Sequence, residues 1–193
     1  MEPKMRFLSG IAGAALLAVA GVAVAAERAH EHGVGRLNVG VEGDEVEIEL
    51  TVPGADAVGF EHAPSTDEDR RAVAAAAQKL KDGGSLFSFP SAAGCRLEEA
   101  EVHSAQLKDD HDHDHKKKDD HGHDHDKKGE HEEAHAEFRA HYHFHCDKPA
   151  GVTHIDLGFF KAFPTAHELE ARWITPKGQG AAELTAGAAR LKF

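Results

Sequence analysis

The chain has 193 residues, 34 acidic against 22 basic, for a net charge of −12 with histidine neutral, and carries 17 histidines but only two cysteines. That balance argues against nucleic acid as a partner, because binding it rests on clustered Lys and Arg that neutralise phosphates. An acidic chain instead attracts cations.

Residues 1–25 read as a secretory signal peptide. Lys4 and Arg6 supply a positive n-region, Phe7 to Val24 is apolar, and Ala23-Val24-Ala25 offers small residues at the cleavage positions. A membrane anchor is the competing reading, since the run approaches spanning length. Its dilution by small residues and the cleavage site favour removal. Nothing after Ala26 is long or apolar enough to span a bilayer, so the cleaved chain is expected not to be membrane-embedded. The remaining 168 residues suffice for one domain, 26–193, with a core of its own.

Residues 36–53 form a predicted hairpin, with Leu37, Val39 and Val41 alternating before Gly43-Asp44 and Val46, Ile48, Leu50 and Val52 after it. Ser65 followed by Glu68 predicts a capping box that opens a helix over 66–81. Val73, Ala77 and Leu80 share one face of this helix, and Gly83-Gly84 is expected to stop it. Residues 95–107 predict a strand of ordinary quality.

Residues 108–133 contain only Asp, His, Lys, Glu and two Gly. Such a segment cannot bury enough surface to offset the entropy of ordering it, so a disordered insertion is expected. A clear strand comes next, at 135–146. Phe138, Ala140, Tyr142, Phe144 and Cys146 take one face, and Glu137, Arg139, His141, His143 and His145 the other. Further strands are predicted at 152–158, 167–175 and about 180–193, with a short helical turn at Phe159 to Pro164. The sum is an α+β domain: a small, mainly antiparallel sheet, one main helix and a His/Asp-rich insertion interrupting a hairpin.

Cys95 and Cys146 flank the insertion. In an exported chain an even pair reads best as a disulfide, and the alternative thiolate metal site needs closely spaced Cys pairs that are missing here. The bond would close a loop of about 50 residues, worth on the order of 4 kcal/mol in the chain-entropy model.

Eleven of the histidines lie between 111 and 145, nine of them in three H-x-H-x-H runs: His111, His113 and His115; His121, His123 and His125; His141, His143 and His145. His131 and His135 are the other two, and His30 and His32 form an H-x-H near the mature N-terminus. Neutral imidazole is a preferred zinc ligand, and carboxylates such as Asp112, Asp114, Asp124 and Asp126 add oxygen donors. Copper(II) and nickel take the same donors, and raw affinity favours copper(II). A strand already points i and i+2 side chains the same way, so His141, His143 and His145 are expected to form the ordered site, with His30 and His32 completing it.

The competing readings are a merely solvating insertion and an exposed polar strand face. His62, before Ala63-Pro64, reads equally as a buried structural histidine or a ligand, whereas His103, His154 and His167 stand alone and lean structural. His103 joins the triad's face only if a bulge intervenes. There is no G-x-S-x-G frame, P-loop, dinucleotide fingerprint or H-E-x-x-H helix, and Glu130-His131-Glu132-Glu133 falls in the expected insertion. A binding protein is therefore expected rather than an enzyme.

Several segments together resemble the ZrgA-type periplasmic zinc-binding proteins of Gram-negative bacteria. They are His30-Glu31-His32-Gly33, Gly59-Phe60-Glu61-His62-Ala63-Pro64, Phe87-Ser88-Phe89-Pro90 with Cys95, the His/Asp insertion, and the strand from His135 through Phe144-His145-Cys146. The resemblance covers essentially the whole mature chain. It implies a periplasmic protein that binds zinc in company with zinc uptake systems and is expressed under zinc limitation. Two functions are expected on this basis. One is to buffer zinc or deliver it to an importer or the importer's binding protein. The other is to dock on a transporter or envelope partner, with metal ordering the insertion.

Overall fold

A computed structural model describes residues 33–107 and 136–193. The expected signal peptide, His30, His32, and the insertion with its histidines from His111 to His135 lie outside the described residues.

The hairpin forms as β1 (Val34–Glu42) and β2 (Glu45–Pro53), with Glu42 opposite Glu45 across a two-residue turn. Gly43 takes a φ of 60° there, a left-handed conformation that glycine adopts without steric cost. Leu37, Val39, Val46, Ile48, Leu50 and Val52 are buried along one face, as their alternation predicts.

A short helix α1 (Gly54–Val58) leads to α2 (Asp67–Lys81), the main helix. Its cap lies one residue later than expected. Thr66 is the N-cap, its hydroxyl accepting from the Asp69 amide while Asp69 accepts from the Thr66 and Ser65 amides. These backbone N–H donors hold the Asp69 carboxyl down at about 2. Consecutive hydroxyl residues facing consecutive acids leave the frame ambiguous in sequence. Gly83 does not simply stop α2, since a second short helix, α3 (Gly83–Leu86), begins at once. A Cβ on Gly83 would come within 2.6 Å of the Tyr142 ring, so close packing as well as punctuation calls for glycine.

The chain continues through β3 (Phe87–Ser88), β4 (Cys95–Ser104), β5 (Glu137–Cys146), β6 (His154–Leu157), α4 (Phe159–Ala162), β7 (Glu168–Thr175), β8 (Gly178–Thr185) and β9 (Arg190–Lys192). The protein is sheet-rich with one main helix, but the sheet expectation needs two corrections. The main sheet is larger and mixed: six strands in the order β4-β5-β2-β1-β7-β8, with β1 and β7 parallel and every other pair antiparallel. The stretch expected as one final strand is two. A turn in which Ala188 N–H donates to Thr185 ends β8 and sends β9 to a second sheet, β3-β6-β9.

Burial is continuous from the apolar faces of β2 and β5 into α2 and the second sheet. Each large apolar side chain fully buried there contributes about 1.5–3 kcal/mol. Tyr142 links the layers, its hydroxyl donating to the Leu80 carbonyl at 2.7 Å in the last turn of α2. Burial pushes its phenol pKa well up. Cys95 and Cys146 sit directly opposite each other on β4 and β5 and are joined by a disulfide. The bond fastens the end of this strand pair remote from the insertion.

Candidate metal centre

The face of β5 opposite the core carries Arg139, His141, His143 and His145. Register decides what surrounds them. On the β2 side His145 faces Glu45, His143 faces Glu47 and His141 faces Glu49. On the β4 side the partners are Arg96, Glu99 and Glu101 in the same order. A bulge between Leu97 and Glu99 makes Glu98 an extra residue and reverses the parity of the rest of β4. Glu99, Glu101 and His103 thereby reach the histidine face, while Ala100 and Val102 turn to the core side.

At the disulfide end these side chains converge. The two carboxylate oxygens of Glu45 go to different histidines: Oε1 lies 3.2 Å from His145 Nδ1, and Oε2 lies 3.0 Å from His143 Nε2. His145 Nδ1 also has Asp44 Oδ2 at 3.7 Å, and its Nε2 has Asp147 Oδ1 at 3.8 Å. His143 Nδ1 has Glu98 Oε2 at 3.9 Å. The histidine side chains are only 30% and 22% exposed, which places them at a sheltered surface rather than in open solvent. Glu45 Oε2 is buried and makes no directed hydrogen bond among the described residues, even at 3.0 Å from an imidazole nitrogen.

Two three-ligand groups result, Asp44–Glu45–His145 and Glu45–Glu98–His143, with the donor atoms of each within 4.8 Å of one another. Zinc bonds of about 2.0–2.1 Å in a tetrahedron place donors about 3.3 Å apart. The observed spacings are close enough for small side-chain movements to close a coordination sphere. Imidazole nitrogen and carboxylate oxygen are also the donor types zinc accepts. Arg96 is the nearby counter-charge, 3.0 Å from Asp147 and 3.5 Å from Glu98.

His141 shares the face but belongs to neither group. His103 lies there too, fulfilling the bulge condition, but pairs with Glu101 at 3.6 Å across from Arg139 and is largely exposed. His62 is exposed, stacked on Phe60 with its Nδ1 2.9 Å from the Ala63 carbonyl oxygen. His154 faces Asp156, whose carboxyl Arg190 holds below the usual range, and His167 packs against Gly33.

Sequence reading missed Asp44, Glu45 and Glu98. Two signals pointed to them: Glu45, Glu47 and Glu49 alternate with the same period as the β5 histidines, and Glu98-Glu99 breaks the alternation of its strand. Residues 131–135 spell His-Glu-Glu-Ala-His, a metalloprotease spacing when it lies on a helix; they fall outside the described residues.

A disulfide-fastened sheet with imidazoles and carboxylates gathered on its solvent face defines a candidate metal-binding domain. The family model of the ZrgA family zinc uptake protein matches residues 29–193, and the chain belongs to that family. No curated protein matches it. Among the described residues no helix is long and apolar enough to cross a membrane.

Proposed function

We propose that the protein is exported to the periplasm, where it binds zinc and buffers it or delivers it to an uptake system. The carrying observation is Glu45 set between His143 and His145, with Asp44 and Glu98 completing two ligand groups. Family membership supports a role in zinc uptake. In this reading the β5 face is the tighter site. His141, His30 and His32 are available to fill its remaining positions, and His111, His113, His115, His121, His123, His125, His131 and His135 add capacity. The reason is preorganisation: residues on a strand have already lost backbone freedom worth about 1–2 kcal/mol each, so binding there need not offset it again.

In this reading the protein acts as a binder rather than a catalyst, because its candidate ligands lie on a strand face and turnover at zinc needs a rigid pocket. Docking on an envelope partner gains no specific support, since Ile174 is the only exposed large hydrophobic among the described residues and lone ones are ordinary. Calorimetry on two variants tests the proposal. Deleting residues 109–133 should lower zinc stoichiometry yet keep a tight site, and replacing His143 and His145 with Ala should remove that site. The reverse pattern would assign the primary ligands to the insertion.

A further inference from the structure

We infer that the β5 face holds two cations bridged by the Glu45 carboxylate, not one ion chelated by neighbouring histidines. The inference rests on the zinc-binding reading above and deepens it. Among the described residues no three-ligand group contains both His143 and His145; Glu45 is the only member the two groups share. Strand geometry explains the separation. Residues two apart on a strand are about 6.8 Å apart, twice the rise per residue, so both rings reach one ion only by leaning together.

Here both rings approach Glu45, but each meets a different one of its oxygens and a different further carboxylate. The Nδ1 of His145 points towards the β1–β2 turn, where Asp44 and Glu45 lie. The Nδ1 of His143 faces the β4 bulge, where the extra residue Glu98 supplies an oxygen. Glu45 stands between them and offers one oxygen to each. A carboxylate used in this way bridges two metal ions, which in two-metal sites lie about 3.5–4 Å apart.

Glu45 Oε2 adds a second sign. It is buried, has no hydrogen bond among the described residues, and lies 3.0 Å from His143 Nε2, a contact that is an ion pair only when the ring is protonated. With the ring neutral, two such donor atoms held together are placed as ligands to a common cation would be. Charge fits as well: three carboxylates, Asp44, Glu45 and Glu98, offset most of the charge of two divalent ions, and Asp147 lies nearby. Each ion would have three ligands from the described residues and so keep a position open to water or to a recipient's donor, which suits exchangeable cargo.

Counting zinc retained by the full chain after exposure to a moderate chelator tests the inference, using His143→Ala, His145→Ala and the double variant. Two bridged ions predict that each single variant loses one ion and the double loses two. If the double loses no more than either single, both histidines serve one ion; the inference falls and the zinc-binding reading stands. If no variant loses an ion, both fall. X-ray absorption on the chelator-treated wild-type chain should show a zinc–zinc vector at about 3.5–4 Å. A spectrum without one overturns the inference whatever the variants do.

Discussion

The two ends of the β5 polar face carry the same residue at the same spacing and differ in their neighbours. At the disulfide end His143 and His145 meet Glu45, Asp44 and Glu98, carboxylates brought in by a tight turn and a bulge. Towards the insertion His141 lies between Glu49 and Glu101, but Asn38 donates to Glu49 at 3.4 Å and Glu101 pairs with His103. An H-x-H-x-H run is therefore not three equal candidate ligands. The difference between them is whether the next strands turn a carboxylate oxygen towards the ring.

The largest effect that would break this contrast concerns the fastening of one end. Replacing Cys95 and Cys146 with Ser removes a cross-link between residues 51 apart and should lower stability by about 4 kcal/mol, measurable by denaturant titration. Zinc affinity of the folded variant should fall too, because His145 adjoins Cys146. Unchanged affinity would separate the fastening from the site.

Next in size is the contrast itself. His143→Ala together with His145→Ala should weaken the tightest zinc binding by about 100-fold or more, at least what losing an outer-shell partner costs. His141→Ala should change it only a few-fold. Equal losses, read by chelator competition, would erase the distinction between the ends.

Acid should act through the imidazoles. Ring nitrogens must be unprotonated to bind metal, and imidazole ordinarily titrates near 6.5. Affinity should therefore fall as the pH drops from 7 to 5, by up to about tenfold per pH unit for each liganding imidazole. A flat profile between pH 7 and 5 would mean that carboxylates alone hold the ion.

The smallest effect comes from the opposite face of the same strand. Tyr142→Phe leaves the Leu80 carbonyl without its donor and should cost about 1–2 kcal/mol of stability. Zinc affinity should stay within a few-fold, because the hydroxyl lies on the core side of β5. A large change in affinity would show that core packing sets the site.

These contrasts also explain what could be read from sequence. The alternation of β5 placed three histidines on one face because strand period needs no partner to be recognised. The hairpin was legible from Gly43-Asp44 between alternating runs. The β1–β7 pairing was hidden, since residues some 130 positions apart meet there and either strand's pattern suits a parallel or an antiparallel neighbour. Glu45 and Glu98 stood out as candidate ligands only with register and bulge in hand. Both are properties of strand pairs rather than of one strand.

The central claim is that zinc is taken first at the disulfide end of β5. Side-chain nitrogen NMR of the nitrogen-15-labelled full chain at half an equivalent of zinc tests it most directly. The account predicts that the ring signals of His143 and His145 shift first, with His141 and His111 to His135 responding only as more zinc is added. Insertion histidines responding first, while His143 and His145 keep their zinc-free positions, would contradict it.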